Sequence, residues 1–444
     1  MAQPNSLSVS TLINARWIVT INPQQPIIEN GCIAIDKGQI VAVAPQNQLK
    51  ITAQTTIDLP NHALMPGLIN AHGHTPMTLF RGLADDLPLM DWLNNHIWPA
   101  ESRWVDDTFA YDGAELAIAE MILGGTTCFS DMYFFPEKVA KAAVASHMRC
   151  QLAFPILDFP TNWANTADEY IHKGLQLMDA YRNHELVDIC FGPHAPYTVS
   201  DAPLKRILTL AEETNKPIQI HLHETAFEVE DALAKTGQRP IERLNQLGLL
   251  SPQTQAVHMT QLIDSDIDLL IKTGTHVIHC PESNLKLASG FCPVAKLLDA
   301  GVNVALGTDG AASNNDLDMF SELRSAALLA KGVSQNPAAV PAYQALEMAT
   351  LNGAKAMGFE QDIGSLEAGK RADIIAVDLN AIQATPYYDI VSQLAYATAA
   401  SQVTDVWIAG RRVLENRKLQ SINLAATQLK ANQWQQRIQA RDKK

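Results

Sequence analysis

The sequence places two histidines one residue apart, His72 and His74, directly after the apolar run ALMPGLI. In an extended strand, residues i and i+2 point to the same side, so this spacing directs both imidazoles toward one point. Neutral imidazoles are common ligands of zinc and other transition metals. The pair alone leaves two interpretations open, a partial metal site or polar residues at the end of a strand.

Further ionisable residues follow other apolar runs along the chain. The segment IHLHE contains His221 and Glu224, AVHM contains His258, and LGTDG contains Asp309. With the first histidine pair, His221 and Asp309 would complete a site of three imidazoles and one carboxylate. Such a donor set suits a catalytic metal that keeps one position for water.

The elements that must position these residues are buried strands alternating with helices. Helical patterns such as 111–125 and 203–217 separate the strands, and the alternation predicts a (β/α)8 TIM-like barrel, whose active site lies at the carboxyl ends of the strands. A doubly wound sheet fits the same count of strands, but no glycine-rich phosphate fingerprint follows any of them. The predicted barrel strands lie around residues 64–70, 126–130, 151–157, 188–192, 217–220, 255–257, 275–278 and 303–307.

Both ends of the chain have β character. The second apolar run of the N-terminal part is interrupted by Asp36-Lys37-Gly38-Gln39, a pattern typical of a hairpin turn. We therefore predict a small β-sandwich domain built from both termini, and a closing helix after Ala425. The predicted division assigns 1–62 to the N-terminal part of that domain, 63–361 to the barrel, and 362–444 to the C-terminal part and the helix.

Composition excludes several classes of function. The formal net charge of −14 and the lack of a basic stripe argue against a nucleic-acid partner. No apolar run approaches the ~20 residues of a membrane helix, and the N-terminus does not have the pattern of a secretion signal. The six cysteines are dispersed without a C-x-x-C pair, which favours buried free thiols in a reducing compartment. We expect a cytoplasmic protein without a membrane partner.

Several longer motifs carry a resemblance to a known family. GLINAHGH, IHLHE, AVHM and LGTDGAASNN together resemble the amidohydrolase superfamily. NAHGHTPMTLFRGLADDLPLMDWL, FGPHAPY, IHLHETAFE, PESNLKLASG and LGTDGAASNNDLDM are similar, more narrowly, to the 5-methylthioadenosine/S-adenosylhomocysteine deaminases. The resemblance extends over nearly the whole chain. It implies hydrolytic removal of the adenine C6 amino group from 5′-methylthioadenosine, from adenosine and from S-adenosylhomocysteine, with release of ammonia.

The resemblance also implies roles for individual residues and one divalent metal ion, with zinc as the first choice. It further implies a small nucleoside substrate. The β domain and apolar loops offer surfaces for an interface, and we expect a homo-oligomer. The implied metal ligands are His72, His74, His221 and Asp309. The implied catalytic residues are Glu224 as the acid–base group, assisted by His258 and Asp309. The implied substrate contacts are Trp92, Glu101, His194, Glu224, Asp309 and Ser313.

The sequence departs from the family pattern at two positions. Binuclear relatives carry a carboxylated lysine after the fourth strand, where this chain has His194, so we expect a single metal. Some relatives carry an arginine after the third strand that could pair with the carboxylate of S-adenosylhomocysteine, where this chain has Phe154. This difference predicts a preference for 5′-methylthioadenosine or adenosine. A deaminase or chlorohydrolase acting on another heterocycle, such as guanine or a triazine, remains the alternative.

Overall fold

A computed structural model describes residues 7–48 and 50–442 and contains two eight-stranded sheets. The strands are β1 (Leu7–Val19), β2 (Ile27–Asp36), β3 (Gln39–Pro45), β4 (Ile51–Pro66), β5 (Leu68–Asn70), β6 (Thr126–Asp131), β7 (Arg149–Ile156), β8 (Val187–Pro193), β9 (Ile218–Leu222), β10 (Thr254–His258), β11 (His276–His279), β12 (Val304–Leu306), β13 (Ile374–Asp378), β14 (Val403–Ile408), β15 (Arg411–Glu415) and β16 (Lys418–Leu419).

Helices surround the strands and close one end of the molecule. The helices are α1 (Leu89–Asp91), α2 (Trp98–Trp104), α3 (Asp107–Leu123), α4 (Pro136–Ser146), α5 (Ala167–Tyr181), α6 (Asp201–Thr214), α7 (Ala226–Thr236), α8 (Pro240–Leu247), α9 (Asp264–Thr273), α10 (Pro281–Lys286), α11 (Val294–Asp299), α12 (Met319–Ser334), α13 (Ala342–Met348), α14 (Leu351–Ala356), α15 (Ile390–Tyr396) and α16 (Leu424–Asp442). A π-helical turn, Trp92–Ile97, joins α1 to α2, and 3-10 turns cover Thr75–Phe80, Ile382–Ala384 and Ala400–Gln402.

Strands β5 to β12 form the predicted barrel. They pair in chain order, every pair parallel. The amide of Ala71, just after β5, donates to the carbonyl of Leu306 in β12 at 2.9 Å and links the first strand to the last. Helices cover the outer face, so these strands are buried on both faces and read as continuous apolar runs. The predicted (β/α)8 fold is confirmed.

The first predicted barrel strand, 64–70, is wrong in its extent. Leu64–Pro66 is the end of β4 in the other sheet, and only Leu68–Asn70 belongs to the barrel. The break falls at Gly67, where a Cβ atom would lie 2.0 Å from the Thr127 hydroxyl oxygen. The chain passes too close to β6 for any side chain at this position. One continuous apolar run therefore contains two strands of two different sheets.

The second sheet joins the two ends of the chain, as predicted, in the order β16-β15-β14-β13-β4-β1-β2-β3. Lys37 and Gly38, between β2 and β3, both have positive φ (49° and 79°), as in a type I′ hairpin turn. The Gly38 carbonyl accepts from the Ala372 amide at 2.9 Å, so the sheet curls back on itself. It encloses its own apolar core, which includes Ile33 and Trp407.

The C-terminal helix packs against the barrel helix α3. Trp434 of α16 donates its indole N–H to Asp112 at 3.1 Å and meets Phe109 edge to face at 5.2 Å. The predicted closing helix is therefore present. The domain boundaries at 62 and 361 stay predictions.

The cysteines agree with the prediction made for them. All six cysteines are buried free thiols, as predicted. Among residues 7–48 and 50–442, no helix combines the length and the apolar character that crossing a membrane requires.

Candidate active site

The histidine pair lies where β5 leaves the barrel. His72 is completely buried beneath the other histidines, and its ring lies 4.8 Å, centroid to centroid, from the rings of both His74 and His221. The His221 ring comes from the end of β9, which runs in parallel with β10. The three predicted imidazole ligands therefore meet at one point, at the carboxyl end of the barrel strands.

Each of these imidazoles has its Nδ1 atom bonded to an oxygen that can only accept. His72 donates to the amide oxygen of Gln219 at 2.8 Å, His74 to the carbonyl of Met132 at 2.6 Å, and His221 to the carbonyl of His194 at 2.7 Å. An acceptor at Nδ1 fixes the proton there and leaves the Nε2 lone pair free for a metal. All three rings thus keep a proton on Nδ1 and direct Nε2 toward the common point.

Asp309 brings a carboxylate to the same point. Its Oδ1 atom lies 3.1 Å from Nε2 of His74 and 3.5 Å from Nε2 of His72. Its Oδ2 atom accepts hydrogen bonds from the hydroxyls of Ser283 (2.6 Å) and Ser313 (2.8 Å). The hydroxyls hold one oxygen, so the other faces the imidazoles.

The backbone around Asp309 is shaped by close approach to the histidine strand. A Cβ atom at Gly307 would lie 2.8 Å from the backbone nitrogen and oxygen of His72, so only glycine fits there. The Asp309 amide donates to the His72 carbonyl at 3.1 Å. Asp309 and His258 both have positive φ, 62° and 75°. Non-glycine residues in this region are strained, and such strain clusters at functional sites.

Glu224 and His258 lie beside this cluster. Nε2 of His258 lies 3.8 Å from a carboxyl oxygen of Glu224, and its Nδ1 lies 2.9 Å from the side-chain oxygen of Asn284. Burial, together with the negative charge of Asp309, raises the pKa of Glu224 to about 8. Glu224 is therefore a carboxylic acid that holds a proton at neutral pH.

A cavity of about 440 Å³ opens above the cluster. Its volume falls in the range of pockets that bind small ligands. Its floor is polar, and its walls are largely apolar. The floor is formed by His74, His194, His221, Glu224, His258, Asp309 and Ser313.

The wall opposite the floor comes from α1, the π-helical turn and α2. Trp92 is buried and donates its indole N–H to the carbonyl of Ala84 at 3.1 Å, which fixes the ring against the cavity. Glu101 of α2 also lines the cavity, and burial raises the pKa of its carboxyl to about 7. The Tyr133 hydroxyl lies beside this carboxyl and opposes the rise, although it has no hydrogen-bond partner of good geometry among the described residues.

The structure brings the predicted site residues together around this cavity. All predicted substrate contacts line it, and of the predicted metal ligands only His72 lies beneath the floor. His223 is not part of the cluster, because Nδ1 faces the Gln261 carbonyl and Nε2 accepts from the Ile241 amide. His279 and Asp131 do not line the cavity either.

The predicted place of Phe154 is wrong. This side chain is completely buried outside the cavity, against Phe191, with ring centroids 5.1 Å apart, and against Gly174 of α5. The cavity is instead lined by its neighbours Pro155 and Leu157. Alternation along β7 turns Phe154 toward the surrounding helices, and an alignment in error by one residue exchanges the two faces of a strand.

Sequence reasoning missed the residues that hold the ligands in place. Ser283 and Asn284, in the segment PESNLKLASG, bond to Asp309 and His258, and the sequence alone does not predict these contacts. Gln219 precedes His221 by two residues and so points to the same face of β9. A polar residue within a buried strand was the available signal for it.

The donor set fits a bound metal ion. Nε2 of His72 is buried and has no hydrogen-bond partner among the described residues, an arrangement that costs free energy unless another group binds there. Two overlapping groups have ligand atoms within 4.8 Å of one another, His72 with His221 and His258, and His72 with His74 and Asp309. A divalent ion would satisfy these atoms, since imidazole and carboxylate are preferred ligands of zinc.

Several known proteins are similar to this chain over nearly its full length. The chain is 54% identical over 438 residues to the 5-methylthioadenosine/S-adenosylhomocysteine deaminase of Saccharophagus degradans, with 98% of each chain covered. It is 51% identical to the protein of the same name from Teredinibacter turnerae, covering 98% of this chain and 99% of the other. An adenosine deaminase from Xanthomonas campestris, solved with bound zinc, superposes with a TM-score of 0.97 at 48% identity, covering 98% of this chain and 100% of the other.

The family comparison covers the whole barrel and most of the C-terminal part of the second sheet. The model of the amidohydrolase family matches residues 63–413, a range that includes every predicted metal ligand. The predicted resemblance, and with it the prediction of an enzyme, is confirmed. A match of this extent means that the chain belongs to the amidohydrolase family.

Proposed function

We propose that the protein is a metal-dependent aminohydrolase that deaminates 5′-methylthioadenosine to 5′-methylthioinosine and ammonia. Adenosine is a further substrate, and S-adenosylhomocysteine, which would yield S-inosylhomocysteine, is a poorer one. The observation that carries the proposal is the Glu224 carboxyl on the floor of a cavity of about 440 Å³, beside the cluster of His72, His74, His221 and Asp309. Relatives 54% and 51% identical bear the name of this deaminase.

One divalent ion would be held by His72, His74, His221 and Asp309. Zinc is the proposed ion because a relative with 48% identity was solved with zinc bound. A zinc ion in such a site supplies one kind of chemistry, the lowering of the pKa of water toward neutrality. All other steps fall to side chains of the chain itself.

Glu224 is the proposed proton donor to N1 of the purine. Its raised pKa, about 8, keeps the carboxyl protonated at pH 7, and it lines the cavity floor. As water attacks C6, Glu224 gives its proton to N1 and then takes one proton from the water. General acid–base transfer of this kind contributes about 10²- to 10⁴-fold.

Asp309 and His258 are proposed to complete the displacement. Asp309 accepts the second proton of the attacking water and passes it to the amino group, the C6–N6 bond breaks, and ammonia leaves. The C6–O bond then becomes the carbonyl of the product. His258 keeps its proton on Nδ1, toward the side-chain oxygen of Asn284, so its Nε2 lone pair accepts a hydrogen bond from the attacking water and orients it toward C6.

The wall opposite the floor is proposed to bind the sugar. Glu101, as a carboxylate, has two acceptor oxygens and can accept a hydrogen bond from each of the two ribose hydroxyls. Trp92 and His194, which line the cavity, are proposed to contact the nucleoside.

The 5′ end of the nucleoside would meet an apolar rim. Trp98, Leu157 and Phe159 line the cavity, and Trp98 meets Phe159 edge to face at 6.2 Å. Within the described part of the chain, no lysine or arginine lines the cavity. A methylthio group fits such a rim, whereas the carboxylate of S-adenosylhomocysteine would lack a cationic partner there. The proposed preference therefore rests on these residues and no longer on Phe154.

Turnover of a substrate panel tests the proposal. The panel comprises 5′-methylthioadenosine, adenosine, S-adenosylhomocysteine, guanine and a triazine, followed by ammonia release and ultraviolet absorbance. We expect kcat/KM for S-adenosylhomocysteine to be lower by about tenfold or more, the range of one lost charged hydrogen bond. Equal efficiency on S-adenosylhomocysteine would refute the preference, and turnover of only guanine or the triazine would refute the nucleoside assignment.

A further inference from the structure

Three glutamines lie buried inside the barrel, below the histidines, and the mechanism uses none of them. Gln151, Gln219 and Gln255 belong to β7, β9 and β10, and each is 0% exposed. A buried amide is costly unless both its oxygen and its NH₂ group are hydrogen-bonded. Three such groups inside one barrel therefore call for a common role.

The glutamines form one chain of hydrogen bonds that begins at a metal ligand. His72 donates Nδ1–H to Gln219 at 2.8 Å, and Gln219 donates to the oxygen of Gln255 at 2.6 Å. Gln255 donates to the oxygen of Gln151 at 2.8 Å, and Gln151 donates to Asp188 at 3.0 Å. Every donor points away from the metal site, and the chain ends on a carboxylate.

Backbone carbonyls fix the direction of each amide. Besides its bond to the next side chain in the series, each NH₂ group also donates to a backbone carbonyl. If the amide were reversed, two oxygens would face each other without a proton between them, so the reversed orientation is excluded. The Asp188 carboxylate, paired with Lys216, is likewise an acceptor. These contacts are Gln219 to Ala71 at 3.1 Å, Gln255 to Ala356 at 2.9 Å and Gln151 to Met357 at 3.0 Å.

We propose that Gln219, Gln255 and Gln151 are positioning residues that hold His72 in the Nδ1–H tautomer. In this tautomer the Nε2 lone pair is available to a metal. A reversed amide at Gln219 would present N–H to Nδ1 and select the Nε2–H tautomer, which has no lone pair on the nitrogen that faces the metal site. The proposal rests on the proposed metal site and adds that the barrel interior sets its zinc affinity.

The dissociation constant for zinc tests the chain directly, without an activity assay. Metal-free protein is titrated with zinc against a chromophoric chelator. We expect the Kd of Gln219→Leu to rise about 10- to 100-fold, the range for loss of a partner of a ligating histidine. Gln255→Leu should raise it less, because Gln219 keeps its contact with the Ala71 carbonyl.

Two further variants separate positioning from general destabilisation. Gln402→Leu removes a buried glutamine that donates to the Asp378 carbonyl at 2.9 Å, far from the metal site, and should leave the zinc Kd unchanged. Gln219→Glu should restore the affinity in its neutral form, which offers a carbonyl oxygen to His72 and an O–H to Gln255. A similar rise of Kd in Gln402→Leu and Gln219→Leu would overturn the proposal.

The ¹⁵N shifts of selectively labelled histidine give a second readout, which mere loss of packing would not change. We expect His72 to be protonated at Nδ1 in the metal-free protein and to lose this preference in Gln219→Leu. Unchanged shifts and an unchanged Kd in that variant would refute the inference alone. Failure of the unaltered protein to bind zinc would refute the proposed function as well.

Discussion

Two buried aspartates at opposite ends of the barrel have opposite environments. Asp309 lies at the carboxyl ends of the strands, whereas Asp373 pairs with Arg149, the first residue of β7, at the amino ends. Their exposures are 5% and 4%. Burial is therefore the same, and the difference lies in what satisfies each carboxylate.

The Asp373 carboxylate is satisfied on both oxygens. Arg149 donates to it twice, at 2.9 and 3.1 Å, and the Ala409 amide donates at 2.7 Å. This bidentate pair joins the barrel to the second sheet. A buried charge with complete partners of this kind holds structure and has no oxygen left for a ligand.

The Asp309 carboxylate is satisfied on one side only. Two serine hydroxyls bond to Oδ2, while Oδ1 faces the Nε2 atoms of His72 and His74. Buried donors and acceptors that converge on one point without protein partners mark a site for another group. Burial and charge are the same at both ends of the barrel. What distinguishes the end that carries the candidate site is a carboxylate with an incomplete set of protein partners.

Removal of the metal should have the largest effect. Dialysis against a chelator should reduce deamination to background, because the residues around Asp309 need an ion to activate water. The structural end at Asp373 holds no proposed ligand, so the protein should stay folded by circular dichroism. Addition of zinc should restore turnover. Full activity after complete metal removal, verified by elemental analysis, would contradict the mechanism.

Glu224→Gln should lower kcat by about 10²- to 10⁴-fold, the usual contribution of a general acid or base. The amide has nearly the same shape but cannot transfer the proton to N1. Zinc content should change little, since Glu224 is not a proposed metal ligand, and KM should change little because the amide N–H can still donate a hydrogen bond to N1. Measurement of kcat, bound zinc and KM separates the roles, and a kcat within threefold of the unaltered enzyme would exclude Glu224 as the acid.

Asp373→Asn should affect stability and leave the chemistry unchanged. Breaking one partner of a buried ion pair costs about 3–5 kcal/mol, because Arg149 keeps an uncompensated charge. We expect a lower midpoint of urea unfolding with saturating zinc, and an unchanged kcat for the folded enzyme. The double variant Arg149→Met with Asp373→Leu should recover part of the loss. A fall in kcat at unchanged stability would mean that the two ends are not independent.

Much of the fold and of the metal cluster could be predicted from the sequence. His72, His74 and Asp309 follow buried strands and His221 lies near the end of one, and the carboxyl ends of parallel strands meet at one end of a barrel. The residue types that bind metals and the topology of the barrel therefore both predict a site at the carboxyl ends of the strands. Their positions depend on local pattern alone.

The remaining features depend on close approaches that no local pattern contains. The break at Gly67 comes from its close approach to Thr127. The partnership of Ser283 with Asp309 spans two separate loops. Sequence reasoning therefore located the ionisable groups that meet at the candidate site and missed the groups that hold them in place.

The smallest predicted effect concerns Glu101, on the wall above the metal site. Burial raises the pKa of this carboxyl from its ordinary value to about 7, so it is protonated below pH 7 and ionised above it. A carboxylate accepts ribose hydroxyls better than its neutral acid does. KM for adenosine should therefore rise as the pH falls through about 7. Glu101→Gln should abolish this limb of the KM profile and raise KM at pH 8 by about tenfold or less. Persistence of the same pH dependence in the variant would assign the titration to another group, and Glu101 would then stand with Asp373 as a structural carboxylate.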